Sequence, residues 1–253
     1  MTFDFEGVKV NYIKLNFNKK NLSNKSVIPI LFLHGWGGST KSFIFCAKAL
    51  KETPCILLDF PPFGNSQEML YPWTVQDYAR LVEKLCKHLS LEKVNIVAHS
   101  FGGRVAIEVA SSTSLINKLL LTGSAGINKK SLKTFFKERI YKIQKFLSKI
   151  KLYPSKKLLN RGSEDYKKLS SVMKKTFVNI VNYDQTKLLH KINIPTLLVW
   201  GNLDKETPFY FTKIFKKHIK DCEVITFDGL GHFAYLQKPY TFIQILKNFF
   251  KDF

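Results

Sequence analysis

Val94-Asn95-Ile96-Val97-Ala98-His99-Ser100-Phe101-Gly102-Gly103 joins a short apolar run to a helix start through a serine set among small residues. A run of this length bounded by a turn reads as a buried strand, and residues 101–112 carry a helical pattern. A strand that ends at a serine and passes straight into a helix is the nucleophile-elbow pattern, whose sharp turn holds the serine in strained backbone geometry. Only small side chains two residues before and after the serine avoid the neighbouring chain, and Ala98 and Gly102 occupy those places. The helix that opens at Phe101 directs its positive end and free N–H groups toward the serine oxygen's surroundings, where negative charge develops in acyl transfer.

Outward from this stretch, apolar runs recur at 28–33, 55–59, 118–122, 196–200 and 223–227, with amphipathic segments at 41–51, 74–89, 208–220 and 239–251 between them. Runs without polar alternation read as strands buried on both faces, and alternating strands and helices predict a doubly wound, mostly parallel α/β sheet. Residues 7–17 alternate and pass through the polar stretch 18–25, which predicts an antiparallel pair leading into the parallel strands. The alternation fails at 127–192, where helical patterns dominate. This predicts a helical cap inserted between core segments 1–126 and 193–253. In residues 131–151, Leu132, Phe135, Phe136, Ile140, Ile143, Phe146, Leu147 and Ile150 fall at helical spacing, and Pro154 ends the pattern.

Three further landmarks follow in order, and with the elbow they make the whole chain resemble the α/β-hydrolase superfamily of serine-nucleophile, capped, esterase-like enzymes. Ile30-Leu31-Phe32-Leu33-His34-Gly35-Trp36-Gly37-Gly38 is similar to that family's strand and HG loop. By that match the backbone N–H groups of Trp36 and Phe101 form the oxyanion hole. Asp59-Phe60-Pro61-Pro62-Phe63-Gly64 resembles the loop after the next strand, with Pro62 where the family has glycine. Leu197-Leu198-Val199-Trp200-Gly201-Asn202-Leu203-Asp204 resembles the strand and loop that supply the acid, and Gly229-Leu230-Gly231-His232-Phe233 the histidine loop. The resemblance implies Ser100 as nucleophile, His232 as general base and Asp204 as the acid that orients it, the chain order this fold uses. It implies an acyl-enzyme mechanism with no metal or organic cofactor. Taken singly, each element has an ordinary explanation: glycines around His232 make a turn, Asp204 caps the helix near Pro208, and Glu206 is a rival acid two residues away. His34 reads as a loop brace, Asp59 as structural, and His99 as a core histidine beside the serine.

Of the 253 residues, 45% are hydrophobic and 14% aromatic, enough to bury a sizeable core and to exclude global disorder. The formal charge of +21 is concentrated in residues 129–191, where 16 Lys and 2 Arg face four acids, a formal +14. The excess is nearly all lysine and reads as a solvated coat, so nucleic acid is not an expected partner, although weak association with an anionic surface is compatible with it. Cys46, Cys55, Cys86 and Cys222 lack paired metal-ligand spacing and read as buried, reduced thiols, which excludes a CxxC redox or zinc site. The first 18 residues contain no apolar core of secretory-signal length, and no stretch reaches the roughly 20 apolar residues of a membrane span, so a cytoplasmic protein is the expectation.

The expected substrate is a small-molecule ester or related acyl compound with a small or medium apolar acyl part, bound under the cap, with Arg161 as a candidate carboxylate ligand. A carbon–carbon bond hydrolase, a cofactor-free lyase using basic groups such as Arg104, and a non-catalytic module docking on an anionic surface are the alternatives.

Overall fold

A computed structural model describes residues 1–18, 27–128 and 169–251 of the protein. Among them, eight strands form one sheet: β1 (Thr2–Phe5), β2 (Val8–Leu15), β3 (Ile30–Leu33), β4 (Cys55–Leu58), β5 (Val94–His99), β6 (Ile116–Thr122), β7 (Thr196–Gly201) and β8 (Cys222–Phe227). Their order is β1-β2-β4-β3-β5-β6-β7-β8. The pairings β1–β2 and β2–β4 are antiparallel, and all others are parallel. The helices are α1 (Ile44–Ala49), α2 (Val75–His88), α3 (Phe101–Ser112), α4 (Ser171–Asn182), α5 (Tyr210–His218), α6 (Ala234–Gln237) and α7 (Pro239–Phe249).

The unbroken apolar runs are explained by helices on both sheet faces. In β3, Leu31 and Leu33 join one core with Leu81 and Leu85 of α2 and Val105 and Val109 of α3. The alternate residues Ile30 and Phe32 join a second core with Cys46 and Ala47 of α1 and Phe242 and Leu246 of α7. Inner strands such as β3 and β4 therefore need apolar side chains at successive positions, since their period-2 alternation feeds two interiors, whereas β8, expected to be buried on both faces, is an edge strand with Glu223 and Thr226 exposed. At about 1.5–3 kcal/mol for each fully buried Leu, Ile, Val or Phe, this double burial outweighs any local helix preference of so short a run.

The antiparallel pair is β1 with β2, turning at Glu6 and Gly7, both at positive φ. β2 pairs next with β4, so the antiparallel pair leads into the parallel strands as expected. The helix expected at 41–51 is cut to α1 because a 3-10 turn at Thr40–Ser42, capped by the Ser39 side chain, precedes it. The helix expected at 208–220 contracts to α5. Pro208 and Phe209 instead accept from Phe211 and Thr212 in three-residue turns, at 2.8 and 3.0 Å.

Of the expected cap at 127–192, residues 127–128 and 169–192 are described, while the helical pattern at 131–151 and Arg161 lie outside the described residues. The two flanks meet: the Gln185 N–H donates to the Gly126 carbonyl at 2.8 Å, and the Asn128 amide donates to the Asn182 carbonyl at 3.1 Å. α4 packs over the start of α2, where Thr176 Oγ1 accepts from the Trp73 N–H at 3.0 Å. All four cysteines are free and buried. No helix among the described residues is long and apolar enough to cross a membrane.

Candidate active site

In an open α/β sheet, ligands bind beyond the carboxyl ends of the parallel strands. Here β3 runs out into His34 and Gly35, β5 into Ser100, and β7 into the loop that carries Asp204, while His232 lies in the loop after β8. The sheet thus delivers four chain-distant segments to one edge.

Ser100 sits between β5 and α3 with φ 50° and ψ −110°, a conformation costly for any residue with a Cβ. The strain is held from several sides. The Ser100 N–H donates to the Thr122 carbonyl at 3.2 Å, and its carbonyl accepts from Gly103 and Ala125, each at 3.0 Å. The hydroxyl makes no capping bond to α3, although serine at this position ordinarily caps. Gly102 is required by close approach, because a methyl group there would lie 2.4 Å from the Leu33 carbonyl oxygen and 2.7 Å from that of His34. Gly35 lets the loop after β3 approach the same turn, with a methyl on it 3.3 Å from Ser100 Cβ.

His232 Nδ1 lies 2.8 Å from Asp204 Oδ2, with side-chain exposures of 12% and 0%. Glu206, the rival acid, is solvent-exposed. Asp204 also caps the turn: Oδ1 accepts from the N–H groups of Glu206 and Thr207, both at 2.9 Å. The two carboxylate oxygens thus divide: Oδ1 holds the 204–207 turn, which lies ahead of α5 and does not cap it, and Oδ2 meets the imidazole. Thr207, which sequence reasoning passed over, places its hydroxyl 2.8 Å from Oδ2 and 3.0 Å from the Gly123 carbonyl oxygen. The signal was the Asp-x-x-Thr spacing of an Asx-type turn. Burial pushes the Asp204 carboxyl up, but the bonds from His232 and Thr207 outweigh it and hold the group below its ordinary value. From behind, Gly123 leaves room for this pair, since a methyl there would lie 3.1 Å from His232 Nδ1. Gly201 does the same for the histidine loop, because a methyl on it would lie 2.3 Å from the Leu230 carbonyl oxygen.

The loop after β3 is braced by two groups. His34 Nε2 accepts from the Phe60 N–H at 2.9 Å, so its proton resides on Nδ1, which donates to the Gly35 carbonyl at 2.7 Å. Asp59, fully buried, accepts from Asn11 Nδ2 at 2.7 Å, the Thr40 N–H at 2.5 Å and the Asn65 N–H at 2.9 Å. Phe101 opens α3, so its N–H is among those with no acceptor inside the helix. Trp36 follows Gly35, and its ring meets those of Phe63, Phe101 and Phe177 at 4.9, 5.5 and 5.3 Å. Arg104 is buried, and Nη1 donates at 2.5 Å to the carbonyl of Tyr183, which ends α4.

His99 is buried, and its Nε2 lies 3.1 Å from the His232 carbonyl oxygen. Burial pushes His34 down to about 4 and His99 to about 3, so both rings are neutral in the folded chain. The unfolded chain takes up protons on these rings near pH 6.5. Between that pH and the folded values the unfolded state binds more protons, and stability falls as pH falls, by about 1 kcal/mol per pH unit for each ring. Asp204 adds to the loss only at lower pH. Its stabilisation is present above the ordinary carboxylate range and disappears as pH falls through its folded value. Urea unfolding at pH 7, 6 and 5 is therefore expected to show a steadily decreasing midpoint, whereas a flat profile would mean that the rings titrate freely in the native protein.

Comparison with known proteins is consistent in kind. A family model described as alpha/beta hydrolase fold matches residues 28–170. An uncharacterized hydrolase of Bacillus subtilis, YugF, is 26% identical across 98% of this chain and 97% of its own length. Lipase 3 of Moraxella sp. strain TA144 is 25% identical over 81% of this chain and 71% of its own. The crystal structure of an alpha/beta hydrolase from a Medee basin deep-sea metagenome library superposes with a TM-score of 0.77 at 20% identity, covering all of this chain and 98% of that one.

Proposed function

Since this chain belongs to the alpha/beta hydrolase fold family and is a hydrolase, we propose that it cleaves carboxylic esters through Ser100, His232 and Asp204. The observation that carries the reading is the 2.8 Å contact of His232 Nδ1 with a buried carboxylate, at the sheet edge where the strained Ser100 turn is found.

The chemistry is then as follows. His232 accepts the Ser100 proton at Nε2 as the hydroxyl attacks the ester carbonyl, while Asp204 keeps the other ring proton on Nδ1 and stabilises the imidazolium that forms. Negative charge builds on the carbonyl oxygen, and the backbone N–H groups of Trp36 and Phe101 are its donors in this reading. The imidazolium returns its proton to the departing alcohol. Water, activated by the same ring, releases the acid and restores the serine. Within this reading no metal or organic cofactor takes part.

The half-buried rings of Trp36, Phe63 and Phe177 favour a small or medium apolar acyl group over a charged one. The name of the Moraxella relative, a lipase, agrees with an ester substrate. The segment 127–192 is proposed as the cap, supported by its joined flanks at Gly126–Gln185 and Asn128–Asn182. A fluorophosphonate probe is expected to label the purified protein once, with the adduct mapping by peptide mass spectrometry to Ser100. Labelling at another residue, or none, would end the assignment.

A further inference from the structure

We propose that His99 is a positioning residue for the general base, its Nε2–H holding the main-chain carbonyl of His232 and so fixing the histidine loop over the strand end that carries the serine. The inference rests on the reading of Ser100, His232 and Asp204 given above.

The geometry is specific. His99 is the last residue of β5, immediately before Ser100, and it lies 133 residues from the carbonyl it meets at 3.1 Å. A carbonyl oxygen can only accept, so Nε2 must carry the proton. The ring is enclosed on all sides: the rings of His232, Phe233 and Tyr235 lie at 4.6, 5.2 and 4.9 Å, and a methyl on Gly35 would lie 2.8 Å from Nδ1. One side chain therefore touches the oxyanion-side loop, the serine's strand and the histidine loop together. Loops without such ties relax by the ångström that separates a productive from an unproductive approach. Other main-chain ties of the histidine loop lie before the base: the Leu230 carbonyl accepts from the Leu203 N–H at 2.9 Å, and the Gly229 N–H donates to Asn202 Oδ1 at 2.8 Å. The tie at His232 itself comes from His99.

A neutral donor suits the position. His232 becomes cationic as it takes the serine proton, and a second cation with its ring 4.6 Å away would oppose that step. Burial keeps His99 uncharged, so it contributes the hydrogen bond without the repulsion.

The test separates donor from ring. His99→Phe keeps an aromatic side chain without the N–H, whereas His99→Gln places an amide N–H near the Nε2 position without the ring. With p-nitrophenyl butyrate as probe, His99→Phe is expected to lower kcat about ten- to hundredfold with KM within about twofold, and His99→Gln to recover most of the loss. A second readout needs no turnover: in ¹⁵N-labelled protein, the downfield Nδ1–H resonance of His232 should exchange faster with solvent in His99→Phe and stay protected in His99→Gln. If His99→Phe does not fold, the unsubstituted protein decides, because the Nε2–H of His99 should then exchange slowly. Wild-type kcat with an unchanged His232 resonance in His99→Phe would overturn the proposal, as would equal impairment in both variants or a rapidly exchanging Nε2–H in the parent. If the parent protein neither hydrolyses the ester nor takes the fluorophosphonate, the esterase reading fails, and the exchange measurements still decide the role of His99.

Discussion

Replacing Ser100 with alanine is expected to abolish fluorophosphonate labelling and to lower ester turnover by about 10⁴- to 10⁶-fold, because the acyl-enzyme route then has no oxygen to begin it. The fold should survive, since the Ser100 hydroxyl makes no capping bond to α3 and the contacts that hold its turn use main-chain groups. Alanine at φ 50° carries the same Cβ strain as serine, so melting temperature should change little. That separation is what makes the test decisive: loss of activity in a protein that melts normally assigns the hydroxyl to chemistry. Turnover at the parental rate would mean that hydrolysis occurs elsewhere on the molecule.

Asp204→Asn is expected to cost about 10⁴-fold in kcat, with Glu206→Gln close to the parent. The asymmetry follows from the donors around the carboxylate. Oδ1 already receives two N–H groups, so an asparagine would keep its oxygen there and turn its NH₂ toward His232 Nδ1. An amide donor at that place demands a lone pair on Nδ1 and moves the ring proton to Nε2, the atom that must accept from the serine. Glu206 is exposed and contributes only its backbone N–H, which glutamine retains. Steady-state kinetics of the two variants check this, and the reverse ranking would transfer the acid's role to Glu206.

The order of the landmarks and the alternation of runs and helical segments were legible because both are local patterns. A strand buried on two faces must be apolar throughout, and a glycine next to a backbone must stay a glycine. Gly102 could be inferred from the elbow for this reason, and its 2.4 Å approach to the Leu33 carbonyl is the physical form of that rule. Contacts between segments left weaker traces. His99 looked like any core histidine, because no spacing in the chain reveals that its ring meets a carbonyl 133 residues away. Arg104 suggested a substrate ligand by its charge alone, yet the carbonyl at the end of α4 takes that charge, as helix C-termini favour cations. The antiparallel pair was legible from the alternation at 7–17, but its first strand, β1, and the left-handed turn at Glu6-Gly7 were not singled out, since four residues are too short for a pattern.

With the proposed Ser100 and His232 as nucleophile and base, the strand order also governs when the protein becomes active. β5, which brings the serine, lies in the interior of the sheet, whereas His232 arrives only after β8, the outermost strand at the far edge. β8 pairs with β7, but the loop after it meets the end of β5 across 133 residues, and contacts so distant in sequence form late in folding; a chain emerging from synthesis carries residue 100 long before residue 232. On the proposed triad, the nascent polypeptide is chemically silent until its last strand docks, so recovered turnover reports completion of the sheet, whereas regained helix content does not.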